Sequence, residues 1–250
     1  VLDVQDLKGR RLPEDASLRL RRGEILGIAG LVGSGRSETV RGLFGLERAD
    51  GTVTVDGKDI RIASYSPGKA LRDGFDLLSE NRKEEGLATD LPIRLNTCLS
   101  SLSRLATFGF ISDRAERQAA DTRRTQLGIK CESTDEPVRS LSGGNQQKVA
   151  LARILHHDSD ILFLDEPTRG IDVGSKAEIC RLIGELAARG KAIVVISSYL
   201  PEVMGVCDTL AVMYRGRLSP AEPVASWTEE SIMLHAASGR LSKEARHAGS

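Results

Sequence analysis

Glu24-Ile25-Leu26-Gly27-Ile28-Ala29 runs directly into Gly30-Leu31-Val32-Gly33-Ser34-Gly35-Arg36-Ser37, and the architecture of the chain hangs on this junction. The first segment is almost continuously apolar and bounded by glycine, the pattern of a strand covered on both faces in a parallel sheet. The second matches the phosphate-loop pattern G-x-x-x-x-G-K-[ST] at every fixed position except one. Val40, Leu43 and Phe44 follow at helical spacing, so the glycines stand between a buried strand and a helix N-terminus. Glycines there let successive backbone N–H groups curl around one anion, and the helix adds the positive end of its dipole. A dinucleotide fingerprint built on Gly33-x-Gly35 needs a third glycine where Glu38 stands, and fails on spacing. Gly30, Leu31, Val32, Gly33, Ser34, Gly35, Arg36, Ser37 and Glu38 are the candidate nucleotide-binding residues, with the Ser37 hydroxyl a candidate ligand for Mg²⁺.

Arg36 occupies the lysine position. Arginine keeps the charge but is a longer planar fork with a different reach. Either Arg36 holds nucleotide and supports hydrolysis poorly, or it substitutes adequately; the residues leave both open.

Around this junction strands and helices alternate. Leu2 to Leu7 and Ser17 to Leu20 alternate apolar and polar as half-exposed strands, and Gly51 to Gly57 forms a hairpin with Lys58 to Ile62. Ile161 to Leu164 and Ala192 to Ile196 are buried strands, separated by a helix over Lys176 to Arg189. The pattern from about 86 to 157 is helical and lacks strong strand signals; Asp113 and Glu116 are spaced as a capping box for a charged helix ending at Gly128. An α/β core with an inserted helical subdomain follows. The expected bounds are core 1–85 and 158–220, helical subdomain 86–157 and a polar tail 221–250, all within one nucleotide-binding domain over 1–250.

Two further motifs carry chemistry. Ile161-Leu162-Phe163-Leu164-Asp165-Glu166 ends an apolar strand in two acids, at the sheet edge where ligands bind in such folds. Asp165 is placed to hold Mg²⁺ and Glu166 to orient or activate an attacking water. In Leu141-Ser142-Gly143-Gly144-Asn145-Gln146-Gln147-Lys148, a serine and paired glycines open a second helix suited to receiving an anion.

These motifs, in this order, resemble the ATP-binding cassettes of ABC transporters, whose signature is L-S-G-G-x-Q. The resemblance covers residues 2 to 220 and implies the family's P-loop NTPase core, with an antiparallel β subdomain and the helical insertion. It also implies a head-to-tail pair in which Leu141, Ser142, Gly143, Gly144 and Gln146 face nucleotide held by a partner cassette. Gly170-Ile171-Asp172 matches the D-loop, which couples the two sites. Besides Arg36 at the lysine position, three positions depart from the family. Glu80, in Ser79-Glu80-Asn81-Arg82, stands where a glutamine is usual, and Ser198, in Ser197-Ser198-Tyr199, where a switch histidine is usual. No aromatic residue lies in Lys8 to Leu12, where one usually stacks on adenine; Arg10 or Arg11 could stack instead.

The departures, with Asp-Glu-Pro-Thr-Arg-Gly-Ile-Asp-Val-Gly and Ser-Ser-Tyr-Leu-Pro-Glu-Val, are similar to the second cassette of double-cassette ATPase subunits of bacterial monosaccharide importers. That resemblance implies ATP and Mg²⁺ as cofactors, with Glu166, Ser198 and Glu80 as catalytic positions and Ser37 and Asp165 as metal ligands. The implied partners are a first cassette on the same polypeptide, a membrane permease docking near Glu80 to Asn96 and, indirectly, a periplasmic sugar-binding protein. The implied place is the inner face of the bacterial cell membrane, held through the permease, and a first residue Val1 rather than Met is what a C-terminal half would show. The competing class is a nucleotide-binding regulatory or structural module without hydrolysis of its own.

Composition sets the remaining limits. The 250 residues carry 35 Lys plus Arg against 35 Asp plus Glu, which argues against a protein whose whole surface is an electrostatic footprint for nucleic acid or anionic lipid. Aromatic content of 4% leaves few platforms for base stacking, against single-strand binding. This balance and the missing coiled-coil insertion disfavour a cassette ATPase of DNA repair or translation. No apolar run reaches the ~18 residues of a membrane span, and the first residues lack a charged segment followed by an apolar one, so no secretory signal is expected from them. Cys98, Cys131, Cys180 and Cys207 are scattered without zinc-ligand spacing, as expected of small buried hydrophobes in a reducing compartment.

Overall fold

The computed structural model describes residues 1–81, 85–107 and 110–240. The chain divides into two compact units, one of residues 1–77, 160–166 and 180–250, the other of 78–159 and 167–179.

The first unit is built on two sheets. Strands β1 (Leu2–Gly9), β2 (Ala16–Leu20), β4 (Ala49–Val55) and β5 (Lys58–Ile60) form an antiparallel sheet in the order β2-β1-β4-β5. In β2, Ala16, Leu18 and Leu20 turn inward while Ser17 and Arg19 face water, so the period-two pattern marks one solvated face. The larger sheet has the order β12-β11-β3-β10-β9-β6. Its members are β3 (Ile25–Gly30), β6 (Phe75–Leu78), β9 (Ile161–Asp165), β10 (Ala192–Ile196), β11 (Thr209–Tyr214) and β12 (Arg217–Leu218), with β13 (Glu222–Pro223) paired to β11. Neither β6 nor β11 stands among the strands expected from the sequence.

β3 lies between β10 and β11 and is parallel to both, with Val194 opposite Leu26 and Thr209 opposite Leu26 on the other side. Every residue of β9 and β10 is buried, which explains why both read as unbroken apolar runs. Phe163 of β9 stacks at 5.6 Å from Phe75 of β6, and both rings are fully covered. Each such side chain contributes ~1.5–3 kcal/mol by leaving water. The core joins these strands to the inner face of β1, β2 and β4 and to Val40, Leu43 and Phe44 of α1 (Arg36–Phe44). Helices α2 (Pro67–Arg72), α8 (Leu200–Val206) and α9 (Glu229–Ser238) complete the unit. Part of the expected tail is regular, since β13 pairs with β11 and Thr228 and Ser231 form a reciprocal capping box at the start of α9; residues 241–250 lie outside the described residues.

The second unit contains α3 (Ile93–Cys98), α4 (Leu102–Leu105), a small hairpin of β7 (Ala106–Thr107) and β8 (Phe110–Ile111), α5 (Asp113–Leu127) and α6 (Gly143–His157). The strand pair β7–β8 stands within the stretch read from the sequence as helical and without strong strand signals. α5 starts as expected but by different chemistry. Ser112 Oγ accepts from the Ala115 N–H, whereas Glu116, expected in a capping box, is buried and ion-paired at 2.5 Å with Arg94 of α3. Gly128 ends α5 in the left-handed conformation. The helix α7 (Val173–Ala188) begins in this unit. Among the described residues, no helix is long and apolar enough to cross a membrane. No disulfide joins the cysteines; Cys98 and Cys207 are buried, while Cys131 and Cys180 are only half-buried, short of the expectation.

Candidate nucleotide-binding site

The turn from β3 into α1 is forced by its glycines. Gly30 adopts φ 154°, and a Cβ there would lie 2.6 Å from the Met213 carbonyl oxygen, so only glycine lets β3 and β11 approach this closely. Gly33 has φ 77° with open space around it, and Gly35 is the left-handed N-cap of α1. Leu31 and Val32 are exposed on the loop. The Ser34 N–H donates to the Leu31 carbonyl and the Gly216 N–H to the Ser34 carbonyl, which fixes the loop, while the buried Ser34 Oγ has no hydrogen-bond partner among the described residues. Glu38 is half-buried in the first turn of α1.

At the end of β9, Asp165 is 3% exposed, and burial raises its carboxyl to about 6 against a hydrogen bond from Ser37 that lowers it. Asp165 Oδ1 has no hydrogen-bond partner among the described residues. A buried, under-satisfied carboxylate beside a hydroxyl is the oxygen donor set that Mg²⁺ takes with one or two protein ligands. Asp165 and Ser37 thus fit such an ion.

Glu166 bends the chain with φ 49°, its N–H donating to the Ile196 carbonyl at 2.8 Å. Its Oε1 accepts the Ser198 N–H at 2.7 Å. Arg36 is turned into this same region and is 7% exposed. Its Nη1 donates to the Ser197 carbonyl at 3.1 Å, and its Nη2 lies 3.9 Å from Glu166 Oε1. Burial lowers the Arg36 pKa, while Glu166, Asp165 and Glu38 work in the opposite direction. The first unit therefore brings together the loop, Asp165, Glu166 and Ser198. Ser198 contributes a backbone N–H at this place; the neighbouring Ser197 hydroxyl donates to Glu202 at 2.6 Å.

In the second unit, Ser142 takes the N-cap position of α6 without a side-chain bond to the helix backbone; its Oγ accepts from Asn145 Nδ2 at 3.0 Å. Leu141 and Gln146 are buried, with Gln146 Nε2 donating to the Leu141 carbonyl at 3.1 Å. Gly143 and Gly144 place no side chain on the half-buried first turn of α6. Asp172 caps α7 by accepting the Ser175 N–H at 3.0 Å. These backbone bonds hold its carboxyl below the usual range.

Residues 13–169 match the profile of the family described as ABC transporter. The chain belongs to that family. It is 44% identical over 234 residues to a putative ribose/galactose/methyl galactoside import ATP-binding protein 1 of Rhizobium meliloti (strain 1021), covering 93% of this chain and 46% of that protein. It is also 44% identical over 239 residues to a ribose import ATP-binding protein RbsA of Geobacillus kaustophilus (strain HTA426), covering 95% and 48%. The chain thus spans about half the length of these curated relatives. The dimeric post-hydrolysis structure of the ATP-binding cassette MJ0796 bound to ADP and Pi superposes with a TM-score of 0.77 at 20% identity, over 90% of this chain and 99% of that one. The fold is that of an ABC ATPase cassette.

Within the cassette, two partners escaped the sequence. Glu80 is ion-paired with Arg169, and both are partly exposed. Such pairs contribute ~0–1 kcal/mol, so the contact matters for loop geometry more than for stability. The other is the Ser197 carbonyl, the acceptor for Arg36; a backbone atom leaves no mark in a sequence. Arg10, Arg11, Leu12, Glu38, Glu47 and Arg48 line a cavity of about 850 Å³ beside α1.

Proposed function

We propose that this cassette couples ATP binding and hydrolysis to sugar import through a membrane permease, as the C-terminal half of a double-cassette subunit. The observation that carries the proposal is an unaltered signature, Leu141 to Gln146, in the same chain as a phosphate loop whose basic residue is an arginine already engaged by the Ser197 carbonyl and Glu166. Its similarity to relatives named for ribose and galactose import, across half of their length, supports the transport role and the half-subunit position. The signature completes the competent site on the first cassette. The cassette's own loop forms a weaker site that mainly binds. There Gly30 to Ser37 wrap the phosphates and Asp165 and Ser37 hold Mg²⁺, which when bound would neutralise phosphate charge. Glu166 orients water, Glu80 stands at the permease-facing loop, and Asp172 links the paired sites. The permease holds the subunit on the cytoplasmic face of the membrane, and a periplasmic sugar-binding protein feeds it from the other side.

Ser142→Arg in the full-length protein tests this. Uptake and ATPase activity are expected to be lost while the chain remains folded; unimpaired uptake overturns the assignment. The buried placement of Arg36 favours a second reading for the chain alone, a nucleotide-binding module that does not hydrolyse. ATPase measured on the chain, with and without the first half, separates the two.

A further inference from the structure

One guanidinium gathers the ends of three elements. Arg36 opens α1, Glu166 follows β9, and Ser197 and Ser198 follow β10. Arg36 Nη1 donates to the Ser197 carbonyl at 3.1 Å, Arg36 Nη2 stands 3.9 Å from Glu166 Oε1, and that same oxygen accepts the Ser198 N–H at 2.7 Å. Arg36 and Glu166 are 7% and 9% exposed, so neither can exchange this partner for bulk water without movement. A lysine ammonium would have to meet both oxygens from one nitrogen, whereas the arginine fork presents a separate nitrogen to each, Nη1 to the Ser197 carbonyl and Nη2 to Glu166.

We propose that Arg36 is a positioning residue that clasps Glu166 to the end of β10, and that phosphate entering the loop must compete with Glu166 and the Ser197 carbonyl for it. This rests on the reading of Gly30 to Ser37 as a nucleotide site and gives that site a regulated entry. In the clasped state Glu166 Oε1 is engaged by a cation and a backbone N–H, so that oxygen is not free to orient a water. In the released state the guanidinium turns to the anion and Glu166 is freed. The apparent affinity for nucleotide is reduced by the fraction of chains in the clasped state. The arginine therefore does more than weaken a lysine contact: it couples phosphate arrival to release of the candidate base.

The test is a double-mutant cycle on the whole chain, using Arg36→Met, Glu166→Gln and the pair, with two readouts. The first is urea unfolding without nucleotide. The second is titration with ATP and with ADP in the presence of Mg²⁺. Removing the Glu166 charge tightens anion binding in any background, so the decisive quantity is the difference between backgrounds. Glu166→Gln is expected to tighten ATP binding at least about threefold more when residue 36 is Arg than when it is Met, with coupling of similar size in the unfolding constants. Arg36→Lys keeps the charge without the fork, so its coupling to Glu166 in the unfolding cycle is expected to be smaller than that of Arg36. Coupled unfolding with additive binding overturns the competition. Additive unfolding overturns the clasp itself. Absence of any ATP or ADP binding that Gly33→Asp can abolish overturns the nucleotide reading of the loop, and the unfolding cycle still decides whether the clasp exists.

Discussion

Gly144 and Asp172 lie side by side in the second unit: a Cβ on Gly144 would sit 3.6 Å from Asp172 Oδ2 and 3.7 Å from Ser175 Oγ. Those are ordinary contact distances, so Gly144→Ala fits without strain and gains helix propensity of up to ~1 kcal/mol. The methyl group nonetheless adds bulk to the glycine turn of α6, where the proposed function places a partner's phosphate. Gly144→Ala is expected to leave the thermal midpoint unchanged or raised while ATPase of the full-length protein falls roughly tenfold or more, since small misplacements at a reacting centre are costly. Undiminished ATPase would show that the glycine turn is not used.

The loop glycines are expected to differ among themselves. Gly30→Ala brings a Cβ against the Met213 carbonyl oxygen at 2.6 Å in a left-handed backbone, whereas Gly33→Ala meets nothing within 4 Å and carries only the backbone cost. Gly33→Ala should destabilise by ~1–2 kcal/mol and Gly30→Ala by clearly more, the extra being the separation of β3 from β11. Urea midpoints of the two variants measure this, and equal losses would mean that β11 yields freely.

Asp165 makes stability depend on pH in an unusual direction. Its carboxyl is raised by burial to about 6, against about 3.9 in an unfolded chain. Between those values the folded chain holds a proton that the unfolded chain has released. The contribution to stability is therefore present in full below about pH 4 and is lost as pH rises through about 6. Asp165→Asn removes this titration, so the variant should gain on the parent by on the order of 1–3 kcal/mol between pH 4 and pH 7.5. A pH-independent difference between the two unfolding curves would contradict it.

In the second unit, Arg94 joins Glu116 at 2.5 Å and Asp135 at 2.7 Å, and Glu116 is 1% exposed. Arg94→Met leaves a buried charge unpaired and should cost ~3–5 kcal/mol. Adding Glu116→Leu removes that charge and should recover most of the loss. Urea unfolding of the single and double variants checks this; failure of the second change to rescue would place the loss elsewhere, for example at Asp135.

What could be read in the sequence follows from where each signal resides. β10 was legible to the residue because Ala192 to Ile196 is buried on both faces and its apolar run has no other explanation. The turn at Gly30 to Gly35 was legible because its backbone demands glycine. β6 was hidden by Asp76, buried at 2% exposure inside a four-residue strand. β11 carries an apolar run as plain as that of β10, but what makes it a neighbour of β3 is pairing with residues far away in the chain. The start of α5 shows the opposite difficulty. Ser112 and Asp113 are both good caps, and the choice fell to Ser112 because Glu116 was claimed by Arg94. At the site, the motif fixed where a basic residue stands, but the direction of Arg36 is set by Glu166 and a carbonyl oxygen on β10.

The position of β3 between β10 and β11 bears on how the chain comes off the ribosome. The strand that launches the loop ends at residue 30, while the strands on either side of it begin at residues 192 and 209. At ~5–20 residues per second, the emerging loop waits on the order of ten seconds or longer before either neighbour exists. For that interval Ile25 to Ala29 is an apolar ribbon with two open edges, and whatever shelters a nascent chain must cover it first.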